Sequence, residues 1–264
     1  MADRSMWGGD DYDLLMGRWS RLIAPLLVQH AEVQDGDEVL DVGCGTGSLT
    51  RALLDSGPKV QVKGIDGSAD YIEICRENLD GNRATLEQGD AQSLPCPNDS
   101  FDKCVSLLVM NFIPDSTRAV NEMQRVTRAG GSVTAAVWDY GDGMEMLRHL
   151  WDEAASIDND AVAKHEGNMP LCRKGELAAL WAECGLSEIS ETALTIQMNF
   201  ASFDDYWEPF LTGVGPSGSY VTSLDAQTQT DLKERLFWKL ANGDDEAPLS
   251  LTARAWGVRG QVRQ

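Results

Sequence analysis

The stretch Val39-Leu40-Asp41-Val42-Gly43-Cys44-Gly45-Thr46-Gly47 decides the fold of this chain. An apolar run that holds one acid leads into three glycines at alternate positions, and residues 48–54 continue with helical spacing. This pattern predicts a buried strand, a tight turn and the start of a helix. Glycines let such a turn adopt positive φ and let a ligand approach the backbone, while the helix start offers N–H groups to that ligand. The stretch therefore predicts a nucleotide-like ligand at a strand-to-helix turn.

Strand and helix patterns alternate from Asp37 onwards, with short loops between them. Such alternation is typical of an α/β fold whose parallel sheet is covered by helices on both faces. Gly130-Gly131 is expected to separate the helix 116–128 from the fifth strand. An amphipathic helix is predicted over 14–30, with Pro25 as a kink or a break. The predicted strands are 39–42, 60–66, 84–88, 101–109, 132–138, 187–200 and 249–258.

Two further acids follow the glycine turn at the carboxyl ends of the next strands. Asp66 ends the second strand, where an acid can accept hydrogen bonds from both hydroxyls of a ribose. Asp90 ends the third strand beside Ala91, where a carboxylate can accept from an exocyclic amine and the Ala91 backbone can serve a ring nitrogen. Ligands of such sheets bind outside the carboxyl ends of the strands. The three elements together indicate an adenosine ligand, although each acid alone is equally well explained as a solvated loop residue.

Four motifs in order resemble the class I S-adenosylmethionine-dependent methyltransferases, and more closely their small-molecule branch with the type 11 pattern. The motifs are Leu40-Asp41-Val42-Gly43-Cys44-Gly45-Thr46-Gly47, Gly64-Ile65-Asp66-Gly67-Ser68, Gly89-Asp90-Ala91-Gln92-Ser93-Leu94-Pro95 and Asp99-Ser100-Phe101-Asp102. The resemblance implies a Rossmann-like, doubly wound sheet of seven mostly parallel strands, in which the last two strands form an antiparallel C-terminal edge. It also implies S-adenosylmethionine as the cofactor and S-adenosylhomocysteine as its product.

The family's roles carry over to the matching positions. Asp41 is expected at the methionine end of the cofactor, Asp66 at the ribose, and Asp90 with Ala91 at the adenine. Arg18 is a hypothetical partner of the cofactor's carboxylate, because a guanidinium suits that group. The remaining expected cofactor-binding residues belong to the first two motifs: Gly43, Cys44, Gly45, Gly47 and Gly67.

The acceptor site is indicated only by polar and aromatic residues outside the motifs. A sulfonium methyl is already electrophilic, so a base is needed only when the acceptor must lose a proton. His149 and Tyr140 are the candidate catalytic groups. Aromatic stripes at helical spacing are more often core than pocket, and that reading stays open for several of the substrate-binding candidates. These candidates are Tyr12, Trp19, Asn111, Phe112, Trp138, Tyr206 and Trp207.

Length and motif placement predict a single methyltransferase domain over 1–264. Within it we expect an N-terminal helical cover at 1–36 and a cofactor-binding core at 37–138. The segments 139–186 and 201–248 are interpreted as helical insertions that form a lid for the acceptor. Long connections in compact domains are usually functional, which favours this interpretation.

Composition excludes several classes of partner. Lys and Arg total 22 against 42 Asp and Glu, giving a formal net charge of -20. Such a surface repels phosphate backbones and anionic headgroups, so we expect neither nucleic acid nor membrane partners. Six scattered cysteines without a C-x-x-C pair, and no recognisable signal peptide, indicate a reducing cytoplasmic setting and no metal site. The pattern leaves monomer and homodimer equally open.

The sequence thus predicts direct in-line transfer of a methyl group to a small-molecule acceptor. Two alternatives remain. The first is an oxidoreductase that uses NAD(P), which the G-x-G-x-G spacing disfavours. The second is a non-enzymatic module that binds S-adenosylmethionine and regulates a partner. The acceptor atom, whether O, N, S or C, is not determined by the sequence.

Overall fold

A computed structural model describes residues 13–79, 81–158 and 161–263. Seven strands form one sheet in the order β3-β2-β1-β4-β5-β7-β6. The first four neighbouring pairs from β3 to β5 are parallel. The strands are β1 (Glu38–Val42), β2 (Gln61–Asp66), β3 (Ala84–Gln88), β4 (Phe101–Leu107), β5 (Thr127–Trp138), β6 (Ser187–Phe200) and β7 (Leu249–Gln261).

Strand β7 runs antiparallel to β5. The amide of Val262 donates to the Gly131 carbonyl at 2.9 Å, and the amide of Asp139 donates to the Arg254 carbonyl at 2.9 Å. Pairing therefore proceeds in opposite directions along the two strands. The predicted seven-stranded, mostly parallel sheet with an antiparallel C-terminal edge is confirmed.

Ten α-helices lie within the described residues. Their N-caps follow the local sequence: the Ser68 hydroxyl accepts from the Tyr71 amide at 3.3 Å, and the Asp225 carboxylate accepts from the Gln227 and Thr228 amides at 3.0 Å. None of the helices in these ranges is long and apolar enough to cross a membrane. The helices are α1 (Arg18–His30), α2 (Ser48–Asp55), α3 (Ala69–Asn78), α4 (Ser116–Val126), α5 (Glu145–Ile157), α6 (Ala161–Lys164), α7 (Glu176–Glu183), α8 (Phe203–Trp207), α9 (Gly215–Ser223) and α10 (Ala226–Ala241).

The N-terminal helical segment consists of two elements. A π-helical turn over Asp13–Gly17 precedes α1, and Pro25 is accommodated inside α1 without breaking it. Pro25 lies on the exposed face, where the carbonyl that loses its amide partner can bind water. Leu22 of this helix is 50% exposed.

The helix-to-strand boundary before β5 differs from the prediction. Helix α4 ends at Val126 and β5 begins at Thr127, so Gly130-Gly131 lies inside the strand. A Cβ on Gly131 would stand 2.5 Å from the carbonyl oxygen of Asp102, and the β4–β5 register shifts between Phe101 and Lys103. These glycines therefore allow a bulge at a close strand approach, rather than a helix stop.

The described residues divide into two compact units. The core unit comprises 17–137, 170–194 and 255–263, and the helical unit comprises 13–16, 138–169 and 195–254. The predicted lid segment 139–186 is therefore divided, because 170–186 belongs to the core unit. The role of 139–186 and 201–248 as an acceptor lid stays a prediction.

Aromatic rings and one buried acid organise the helical unit. Tyr206 packs edge-to-face against Phe200 and Phe210, each with centroids 5.5 Å apart. Glu166 is 4% exposed, and its carboxylate accepts from the Ser217 amide at 2.9 Å and from the Trp151 indole N–H. Helix α9 and the short turns at 161–168, which the sequence pattern did not reveal, are thus fixed by partners distant in the chain.

Candidate active site

The glycine turn follows β1 in the core unit. Gly43, Gly45 and Gly47 have φ of 76°, 53° and 99°. A Cβ on Gly43 would stand 2.5 Å from Val109, so glycine is required there by the approach of the chain after β4. A Cβ on Gly45 would meet nothing within 4 Å, so its backbone borders open space. Gly43 therefore allows close packing against Val109, and Gly45 leaves room for a ligand.

Asp66 at the end of β2 fastens this turn. Its Oδ2 accepts from the Gly45 amide and its Oδ1 from the Ser68 amide, both at 2.9 Å. The Ile65 carbonyl accepts from the amides of Gly43 and Cys44 at 2.7 and 3.1 Å. The carboxyl ends of β1 and β2 therefore hold the predicted cofactor residues in one array.

The third strand end joins the same array. The Gly89 amide donates to the Asp66 carbonyl at 2.9 Å. Asp90 is exposed, and its Oδ1 accepts from the Gln92 amide at 2.8 Å. Ala91 is half-buried beside it. Backbone bonds thus link the three predicted strand-end elements, and the convergence expected from the parallel topology is observed.

Asp41 is buried inside the core unit. Its Oδ2 accepts a 2.6 Å hydrogen bond from the Thr50 hydroxyl of α2, and both residues are 0% exposed. Its Oδ1 is buried and has no hydrogen-bond partner among the described residues. The pKa of Asp41 is raised to about 7. Burial is the largest cause and the negative charge of Asp66 adds to it, whereas the hydrogen bond from Thr50 opposes the rise.

Cys44 turns its side chain away from the turn and into the core. It is 4% exposed and packs in a cluster with Ile72 and Cys75. The hydrogen bond with Cys75, together with burial, raises the pKa of the Cys44 thiol far above its usual range. Only its backbone is therefore suited to cofactor contact. Gly67 beside Asp66 has open space around its Cα.

The chain after β4 carries the polar and aromatic candidates of the core unit. Leu108 adopts φ of 61°, a conformation rare for leucine that is common at functional sites. A 3₁₀ turn over Met110–Phe112 follows, with Asn111 buried and Phe112 half-buried. On α1, the Arg18 guanidinium lies 4.3 Å from the Trp19 ring centroid, and Trp19 is 3% exposed.

The other acceptor candidates lie in the helical unit. Trp138, Tyr140, Tyr206 and Trp207 are 2%, 7%, 0% and 2% exposed. The Tyr206 hydroxyl donates to the Met146 carbonyl at 3.0 Å, so core packing accounts for this side chain. Tyr12 lies outside the described residues. The substrate-binding roles of these residues and the catalytic role of Tyr140 stay predictions.

His149 on α5 is half-buried. Burial lowers its pKa, and the positive charges of Lys239 and Arg148 lower it further. Its Nδ1 is buried without a hydrogen-bond partner in the described part of the chain. The imidazole is therefore neutral near pH 7 and can accept a proton.

Sequence reasoning missed Thr50, the hydrogen-bond partner of Asp41. A signal was present, because α2 buries Leu49, Leu53 and Leu54 on one face and Thr50 is the polar residue of that face. A polar residue on an apolar helix face needs a hydrogen-bond partner. The pattern did not say which residue would supply it.

The segment that carries the glycine turn and the strand-end acids matches a known protein family. A family model described as a methyltransferase domain matches residues 39–131. A demethylmenaquinone methyltransferase of Desulfitobacterium hafniense is 29% identical over 180 residues, which cover 61% of this chain and 70% of that protein. The chloroplastic 2-methyl-6-phytyl-1,4-hydroquinone methyltransferase 1 of Oryza sativa is 32% identical over 122 residues, covering 46% of this chain and 37% of that one.

A solved structure shares the fold across nearly the whole chain. Phosphoethanolamine N-methyltransferase 2 of Haemonchus contortus, in complex with phosphomonomethylethanolamine and S-adenosylhomocysteine, aligns with a TM-score of 0.59 at 17% identity. The alignment covers 97% of this chain and 57% of that chain. These matches give no support to an NAD(P)-dependent oxidoreductase or to a non-enzymatic binding module.

The matched domain spans the glycine turn together with Asp41, Asp66 and Asp90, and the two relatives described above are named as methyltransferases. The comparisons therefore support a class I S-adenosylmethionine-dependent methyltransferase: residues 39–131 carry a methyltransferase domain, and S-adenosylmethionine is the methyl donor that this family uses.

Proposed function

We propose that this enzyme methylates an uncharged, hydroquinone-type small molecule. The observation that carries the proposal is the likeness to two methyltransferases whose names specify demethylmenaquinone and a phytyl hydroquinone. The net charge of -20 supports it, because such a protein repels phosphorylated acceptors of the kind bound by the Haemonchus contortus enzyme. The same charge disfavours nucleic acid as an acceptor.

Several features of the core unit support donor binding at the glycine turn. Gly45 and Gly67 border open space, and Asp41 presents a buried oxygen that no described residue satisfies. We assign Asp66 to the ribose hydroxyls, since each carboxylate oxygen that accepts one backbone amide has capacity for a second donor. Asp90 and Ala91 are assigned to the adenine, and Asp41 to the methionine end.

When bound, the donor supplies a sulfonium methyl that needs no further activation. The chain's own task is to orient the acceptor and to exclude water. Asn111 and Phe112 follow β4 within the core unit and are assigned to the acceptor, together with Trp19. Arg18 is assigned to the donor's carboxylate. His149 is the proposed proton acceptor, because its lowered pKa keeps the imidazole neutral at pH 7.

We also propose a cytoplasmic location. All six cysteines are free thiols, and five of them are buried. Free thiols are stable where the cell keeps them reduced.

The acceptor class can be tested with methyl-labelled S-adenosylmethionine. The purified protein is incubated with a short-chain demethylmenaquinol kept reduced, with a phytyl hydroquinone and with phosphoethanolamine, and products are identified by mass spectrometry. We expect label in a hydroquinone product and none in the phosphorylated amine. Transfer to phosphoethanolamine alone would overturn the proposed acceptor class.

A pair of variants tests whether turnover depends on the proposed donor site. Asp66→Ala is expected to lose turnover, whereas Asp55→Asn removes one charge from the exposed end of α2 and is expected to retain it. Equal turnover by both variants would contradict the assignment of Asp66.

A further inference from the structure

The two carboxylate oxygens of Asp41 have different surroundings, and Thr50 contacts one of them. Thr50 on α2 donates to Oδ2 of Asp41 at 2.6 Å, and neither residue is exposed. The second carboxylate oxygen, Oδ1, is buried and accepts no hydrogen bond from the described residues. One oxygen is therefore fixed by the protein, while the other is available.

The surroundings of Asp41 disfavour a negative charge. Asp66 from β2, Cys44 from the glycine turn and Cys104 from β4 are the titratable groups that face it, and Thr50 faces it from α2. The hydrogen bond with Cys75, followed by burial, raises the pKa of the Cys44 thiol, and burial raises that of the Cys104 thiol, so both stay neutral. Within 13–79, 81–158 and 161–263, no Lys or Arg forms an ion pair with Asp41. The interactions in this set that favour the ionised carboxylate both come from Thr50: the hydroxyl makes the larger contribution and the backbone amide the smaller one.

We propose that Thr50 is a positioning residue that holds Asp41 by Oδ2 and reserves Oδ1 for the cationic methionine end of the donor, so that donor binding ionises Asp41. The inference rests on the proposed role of Asp41. The carboxyl O–H bond breaks, its proton passes to solvent, and the positive charge of the donor compensates the carboxylate. Donor affinity is then linked to pH through one buried acid.

The linkage has a definite sign. Near pH 6 the free enzyme holds Asp41 protonated, since burial raises its pKa to about 7, and the donor must displace that proton. Binding therefore tightens as the pH rises. An α-ammonium group keeps its charge up to about pH 7.7, so the donor's own charge is constant over this range. For a single proton released completely, the Kd falls about fivefold between pH 6 and pH 7.

Titration calorimetry of S-adenosylmethionine into the 264-residue protein tests this without turnover. Measurements at pH 5.5 to 7.0 in two buffers of different ionisation enthalpy give the Kd and the protons released. We expect the fivefold tightening and a proton release that declines towards pH 7. A Kd and a proton count that stay constant with pH in the wild type would overturn the proposal.

Variants assign the effect to the pair. Thr50→Val removes the hydroxyl and is expected to weaken binding and to move the pH profile upwards, whereas Thr50→Ser is expected to follow the wild type. A folded Thr50→Val protein with the wild-type profile would contradict the positioning role. If the valine variant does not fold, the proton release of the wild type still decides.

Asp41→Asn separates this inference from the proposed function. We expect weak binding that is independent of pH. Wild-type affinity in this variant would show that Asp41 does not bind the donor, and both proposals about it would fail. Weak, pH-independent binding with an unchanged Thr50→Val profile would leave the donor contact standing and remove only the role of Thr50.

Discussion

The Gly45 amide donates to Oδ2 of Asp66 at 2.9 Å, which joins the glycine turn after β1 to the carboxyl end of β2. Asp66 also accepts from the Ser68 amide, so one carboxylate fixes two loops. The residue assigned to the ribose therefore stabilises the turn that must approach the donor. Binding and local rigidity depend on the same side chain.

Asp66→Ala should lower both stability and donor affinity. Two backbone amides lose their acceptor, which costs about 1–2 kcal/mol for partly buried groups, and the lost contacts to the donor should reduce affinity about 10- to 100-fold. Chemical denaturation and titration calorimetry measure the two effects. Asp55→Asn is the matched control. An Asp66→Ala variant that binds S-adenosylmethionine with wild-type affinity would refute the assignment.

Gly45→Ala should separate a backbone cost from a ligand clash. Gly45 has φ of 53° and Gly36 has φ of 101°, and a Cβ at either position would meet nothing within 4 Å. Each substitution should cost about 1–2 kcal/mol of stability, because alanine resists positive φ. Only the Gly45 variant should lose donor affinity, by tenfold or more, since Gly36 lies at the amino end of β1. Equal binding by both variants would argue against close backbone approach at Gly45.

Asp41→Asn should change how stability depends on pH in the absence of ligand. Burial raises the pKa of Asp41 in the folded protein to about 7, well above its ordinary value in an unfolded chain, so between these two values the folded protein binds more protons than the unfolded chain. This contribution to stability is present at low pH and is lost as the pH rises through the folded pKa. The variant lacks it, so its stability relative to wild type should improve by about 2 kcal/mol between pH 5 and pH 7. Parallel denaturation curves at both pH values would exclude this ionisation.

Glu166→Ala should destabilise the helical unit. The buried carboxylate is the acceptor for the Ser217 amide and the Trp151 indole, and its loss leaves two buried donors unsatisfied, at about 2–4 kcal/mol. Glu166→Gln should cost less, because an amide oxygen still satisfies one donor. Thermal unfolding followed by tryptophan fluorescence reports the change, with exposed Glu208→Ala as the control. A melting temperature equal to that of the control would show that Glu166 does not hold this unit together.

Local sequence features predicted most elements of the core unit. The Ser68 side chain caps α3, and Gly185 follows α7 with φ of 86°, a conformation in which glycine commonly ends a helix. The acids after β2 and β3 converge because parallel strands place their carboxyl ends at one edge. By contrast, Gly130-Gly131 was misassigned, because a close approach to the Asp102 carbonyl depends on a strand far away in the sequence.

The sequence by itself determined the seven strands and their order along the chain, the glycine turn and the methyl donor, because periodicity, caps and turn residues act between neighbours along the chain. Only the tertiary structure decided that the Thr50 hydroxyl donates to Asp41 and that Asp66 accepts from the Gly45 amide. It also decided that Tyr206 is buried in a core. Burial and hydrogen-bond partners arise between residues distant in sequence. They depend on which faces the packed elements present to each other, and no local pattern encodes that choice.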